Sequence, residues 1–155
     1  MPNTRDGSHF AWWMTGVQDD QNITAQLVGQ NTYAGHTSNE TGEFDIIEIG
    51  LPNIKHWRPV IHNNGSTDYQ YEHVPETIIP GDPGNEFHVY GFEWDENGTK
   101  FYLDNQLVKT STRTPNYRMM TYFSVYATGG MGTDRYIYPK EAIIDYFRIY
   151  KKEEP

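Results

Sequence analysis

The sequence predicts an all-β sandwich of two antiparallel sheets, and three observations carry that prediction. Helical periodicity is hard to find, whereas short apolar or alternating runs bounded by Gly, Pro, Asn and Asp recur along the chain. Roughly eight or nine such runs separated by turn signals are what a sandwich needs. Aromatic residues reach 15% of the chain, with 12 Tyr and 4 Trp, as expected of an aromatic-rich β core. The 155 residues suffice for one domain that buries roughly 70% of its unfolded surface. No linker or internal repeat divides them, so residues 1–155 read as a single domain.

The elements follow in order. "HFAWWMTG" (9–16) is the first strand, and the polar stretch from Gln18 to Thr41 reads as a long loop. "EFDIIEI" (43–49), "RPVIHN" (58–63) and "YQYEHV" (69–74) are the next strands, before the Pro/Gly-rich connection "IIPGDPGN". "EFHVYGFEW" (86–94) enters the turn "DENG". "KFYLD" then leads through a turn around Asn105 into "QLVKT", a three-stranded meander with hairpin chemistry at both turns. In this meander His88, Tyr90, Phe92 and Trp94 alternate on one face and read as packing. "MMTYFSVYA" (119–127) is apolar on both faces, as a central strand would be, and "AIIDYFRIY" (142–150) closes the chain.

Composition narrows the partners. A formal net charge of -9 argues against a nucleic-acid backbone or an anionic membrane and favours a neutral or weakly charged ligand. The surplus of flat rings suits sugar or peptide binding. With no cysteine, disulfides and thiolate metal sites are excluded. "MPNTRDGSHF" has no signal-peptide pattern. Four Asn-x-Ser/Thr sequons stand at Asn22, Asn39, Asn64 and Asn97, which carry meaning only in a glycosylating host.

The chemistry is concentrated in "EFDIIE" (43–48). Strict alternation puts Glu43 and Asp45 on one face of the strand and Glu48 on the other. That register would expose Ile47 beside two acids and aim Glu48 at the core, where an unpaired carboxylate is costly. A β-bulge at Ile46-Ile47 buries both isoleucines and returns Glu48 to the side of Glu43 and Asp45. Two carboxyl groups about 5–5.5 Å apart are what retaining glycoside hydrolysis needs. A third between them would hydrogen-bond one and keep their affinities for protons unequal. Without such chemistry the same run would be a solvated acidic strand face.

The pattern E-x-D-x-x-E at Glu43, Asp45 and Glu48 resembles that of family-16 glycoside hydrolases, the laminarinase, lichenase, agarase and carrageenase group. "FHVYGFEWDENGTKFYLDNQLV", "AWWMTG" and "IIDYFRIYKK" resemble that family's strand pair, its upstream Trp-rich strand and its closing strand. The resemblance implies a concanavalin-like β-jelly roll. It makes Glu43 the nucleophile, Glu48 the general acid and then general base, and Asp45 the residue that tunes the pair, with a rate optimum below neutrality. It implies a sugar platform from Trp12 or Trp13, and a cleft lined by Trp57, His62, Tyr122 and Tyr126. For His62 an exposed strand-end position is the rival reading, and for the two tyrosines core packing.

No cofactor is required for the reaction; the resemblance allows a structural Ca2+ with Asp145 as one oxygen ligand, although such a site needs six to eight oxygens. The substrate it implies is a β-linked polysaccharide, β-1,3- or mixed-linkage glucan first and a marine galactan next, met in an extracellular or periplasmic compartment. Sulfate recognition would draw on Lys55, Arg58, Arg113, Arg118 or Arg135. Family domains carry several strands before the segment that "HFAWWMTG" resembles. The open edge would be covered by loops, by a second copy through dimerisation or strand exchange, or by the rest of a longer enzyme. The competing classes are a carbohydrate-binding sandwich with an idle site and a structural sandwich that mediates protein contacts.

Overall fold

The computed structural model describes residues 8–16, 42–50, 55–63, 72–73, 76–115, 117–127 and 141–153. The predicted loop from Gln18 to Thr41, the first half of "YQYEHV", and Arg135 lie outside the described residues. So do the sequons at Asn22, Asn39 and Asn64.

The described residues form ten strands: β1 (Ser8–Gly16), β2 (Glu43–Gly50), β3 (His56–Trp57), β4 (Val60–His62), β5 (Glu72–His73), β6 (Thr77–Ile78), β7 (Tyr90–Asp95), β8 (Gly98–Leu103), β9 (Gln106–Ser111) and β10 (Met119–Ala127). A five-stranded sheet runs β10-β1-β2-β4-β5, a three-stranded sheet runs β7-β8-β9, and β3 and β6 form a separate ribbon. Every pairing is antiparallel. The fold is the all-β jelly roll that the sequence predicts.

Alternation decides what faces the core. From the large sheet Phe10, Phe44, Ile47, Ile49 and Ile61 point inward, and from the small sheet Phe101 and Leu103 meet them. Tyr90, Phe92 and Trp94 pack against this cluster, with Phe44 and Phe92 edge to face at 4.9 Å. The indole of Trp94 donates to the Pro115 carbonyl at 2.9 Å, which satisfies its buried polar end. The Asp104-Asn105 turn has positive φ at both residues, 49° and 63°, as a two-residue hairpin of this twist requires.

Two expectations are corrected. "RPVIHN" pairs only over Val60–His62, because Pro59 has no N–H to extend the ladder. "AIIDYFRIY" belongs to no strand. Phe147 sets its ring edge against Trp12 at 5.7 Å and against Phe123 at 5.1 Å. The closing segment thus lies against the face of β1 and β10 rather than beside an edge in the plane of the ladder.

Candidate active site

The site is built on an irregularity in β2. Trp12 of β1 pairs with Ile47 while Trp13 pairs with Asp45, so Ile46 is one residue too many for its partner strand. Ile46 and Ile47 are both buried, at 0% and 4% exposure. With that extra residue absorbed, Glu43, Asp45 and Glu48 stand opposite Thr15, Trp13 and Ala11, on one face. On the other side β4 places His62 opposite Glu43. The same alternation brings His9 to this face beyond Ala11.

The carboxylates interact. Asp45 is 5% exposed, and its carboxyl is pushed up to about 9, first by burial, then by the charges of Glu43 and Glu48, and by a side-chain hydrogen bond with Glu43. At neutral pH Asp45 is therefore a proton carrier between two glutamates. His62 Nε2 lies 3.0 Å from Asp45 Oδ2, and His9 Nε2 lies 3.3 Å from Glu48 Oε1. Asp45 and Glu48 thus each have a histidine neighbour on a different strand.

The predicted lining residues separate. Trp13 belongs to the acidic face: its ring stacks on Tyr122 at 4.7 Å, and its indole donates to Ser124 Oγ at 2.8 Å. Trp12 does not; it points to the opposite face, stacks on Phe123 at 6.0 Å and donates to Thr121 Oγ1 at 2.9 Å. Adjacent residues on a strand cannot share a face. Trp57 is likewise corrected, being fully buried with its indole N–H on the Ile46 carbonyl at 2.7 Å. Tyr126 pairs with His9 through the backbone, and its side chain lies outside the described residues. Arg58 is held by Glu76 at 2.9 Å. His9 and Ser124 went unsingled in the sequence, although period-two counting from Trp13 and Tyr122 reaches both.

Glu43, Asp45 and His62 bring ligating atoms within 4.8 Å of one another. No group of three or more ligating side chains among the described residues includes Asp145, which is exposed.

The chain as a whole is similar to known proteins. The family described as "Glycosyl hydrolases family 16" matches residues 6–146. A beta-glucanase of Bacillus subtilis (strain 168) is 30% identical over 132 residues, covering 78% of this chain and 50% of that protein. A GlcNAcα1-4Gal-releasing endo-β-galactosidase from Clostridium perfringens superposes with a TM-score of 0.71 at 34% identity, over 90% of this chain and 33% of that one. The catalytic domain of an endo-1,3-beta-glucanase (laminarinase) from Thermotoga petrophila RKU-1 shares the fold, with a TM-score of 0.63 at 22% identity, over 90% of this chain and 55% of that one. The chain spans 37% to 51% of the length of the curated relatives it matches.

Proposed function

Because this chain belongs to glycosyl hydrolase family 16, we propose that it carries the active site of a retaining endo-glycosidase acting on a β-linked polysaccharide. The observation that carries this reading is the extra residue at Ile46, which brings Glu48 to the face of Glu43 and Asp45. A solvated acidic strand would need neither the bulge nor a buried aspartic acid.

In this reading Glu43 attacks the anomeric carbon while Glu48 gives its proton to the departing glycosidic oxygen. The bond to the leaving sugar breaks, and a glycosyl ester forms on Glu43. Glu48 then takes a proton from water, which displaces Glu43 with net retention. Asp45, neutral and hydrogen-bonded to Glu43, steadies the nucleophile without adding a second negative charge beside it. Trp13, backed by Tyr122, offers the sugar a flat apolar surface, and His62 holds Asp45 from β4.

A β-1,3- or mixed-linkage glucan is the first substrate class, supported by the likeness to the Bacillus beta-glucanase. A β-galactoside polymer is the second, supported by the 34% identity to the Clostridium endo-β-galactosidase. Such polymers are met outside the cytoplasm, which makes an extracellular or periplasmic setting the one that suits the reaction.

The test is reducing-end release from laminarin, lichenan, agarose, carrageenan and a β-galactoside glycan capped with GlcNAcα1-4Gal. Wild type should cleave at least one, and Glu43→Gln should lower kcat on it by about 10³-fold or more. Binding without cleavage of any would assign the chain to carbohydrate-binding sandwiches. Cleavage undiminished in Glu43→Gln would remove the nucleophile.

A further inference from the structure

The bulge creates a backbone demand that the ladder does not meet. On the β4 side the register runs Glu43 with His62, Phe44 with Ile61 and Asp45 with Val60. The residue next in line, opposite Ile46, is therefore Pro59, which has no N–H to give. On the β1 side Ile46 is the unmatched residue. Its carbonyl lies in a fully buried stretch, where an acceptor without a donor is costly. The indole N–H of Trp57 takes that carbonyl at 2.7 Å.

Trp57 is well fixed for the task. It is 0% exposed and is the largest fully buried side chain among the described residues, its backbone pairs with Thr77, and Tyr90 sets a ring edge against it at 5.4 Å. The geometry points to Trp57 as a positioning residue for hydrolysis: from the core side, through one hydrogen bond to the supernumerary residue, it pins the bulge that turns Glu48 toward Glu43 and Asp45. The inference rests on the catalytic reading of Glu43 and Glu48. Without the indole donor, β2 is free to shift locally in search of another partner for that carbonyl. Any such shift moves the two glutamates relative to each other.

Trp57→Phe keeps an aromatic ring in the core and removes the donor. It is compared with Glu43→Gln, which reports on the catalytic reading, and with Phe101→Leu, a fully buried change on β8 that leaves the bulge alone. On a polysaccharide cleaved by wild type, Trp57→Phe should lower kcat by about 10²-fold with KM changed less than about twofold, and should move the pH profile of kcat. Phe101→Leu should melt earlier yet keep both. Wild-type kcat and profile in Trp57→Phe, with Glu43→Gln inactive, overturns the inference and leaves the catalytic reading standing; an active Glu43→Gln overturns the catalytic reading instead.

A second readout needs no turnover. In carboxyl 13C NMR, Asp45 should titrate at lower pH in Trp57→Phe than in wild type, because the Glu48 charge has moved away; an unchanged curve counts against the inference. Should Trp57→Phe not fold, hydrogen exchange of the wild-type Trp57 indole decides. Exchange as slow as the β2 amides supports the assignment, and exchange at the rate of an exposed indole rejects it.

Discussion

Asp45 is the residue on which both chemistry and stability turn. Its carboxyl titrates near 9 in the folded protein, driven there by burial and by Glu43 and Glu48, against about 3.9 in an unfolded chain. Between those values the folded state holds the extra proton, so stability is fullest below the lower value and falls as pH rises through the upper one. Asp45→Asn removes this titration, and melting temperature should then depend on pH less steeply between about 4 and 9; an equally steep slope in the variant would place its origin elsewhere. Much of this residue-level picture was legible. The cost of burying Glu48 and exposing Ile47 was enough to require the bulge. Trp57 was not legible: an aromatic just after the acidic strand reads as cleft lining. The clue to its real task, Pro59 standing opposite the bulge, has meaning only once the β2–β4 register is known.

Among the elements, the β7-β8-β9 meander is the one most completely specified by local sequence. Its first turn puts Gly98 at φ 138°, and the Asn97 N–H is held by the Asp95 carboxylate at 2.8 Å. A Cβ at Gly98 would sit 2.2 Å from the Ser111 carbonyl oxygen on β9. Gly98→Ala should therefore cost about 1–3 kcal/mol in chemical denaturation, through strained φ and displaced β9; a loss within about 0.5 kcal/mol, the usual range of a surface change, would contradict this. The closing segment shows the opposite case. "AIIDYFRIY" alternates like a strand, but whether an alternating run enters a ladder depends on an available edge, a nonlocal matter that periodicity does not encode. Here Phe147 instead reaches the face of β1 and β10 through Trp12 and Phe123.

At the scale of the whole molecule, two sheets hold a common core, and the acids lie on the outer face of the larger one. The same architecture leaves Phe123 and Val125 each 39% exposed, with Phe147 at 41%, Ile143 at 63%, Ile149 at 76% and Tyr150 at 79%. Apolar surface of this kind favours association. Sedimentation of this chain should give a weight-average mass that rises with concentration, and a strictly monomeric profile at high concentration would refute that expectation. The sandwich itself was readable from turn spacing and alternation, because its longer strands announce themselves locally, whereas the two-residue strands β3 and β6 gave no such signal. Which polysaccharide the proposed site would take was not, because that depends on loop shape rather than strand pattern. The central claim, that one extra residue in β2 gathers a nucleophile and an acid for double displacement, is tested most directly by the anomer first released. Proton NMR of early hydrolysis, on a polysaccharide that the protein cleaves, should record the β-anomer building up before mutarotation. Initial appearance of the α-anomer would contradict the account.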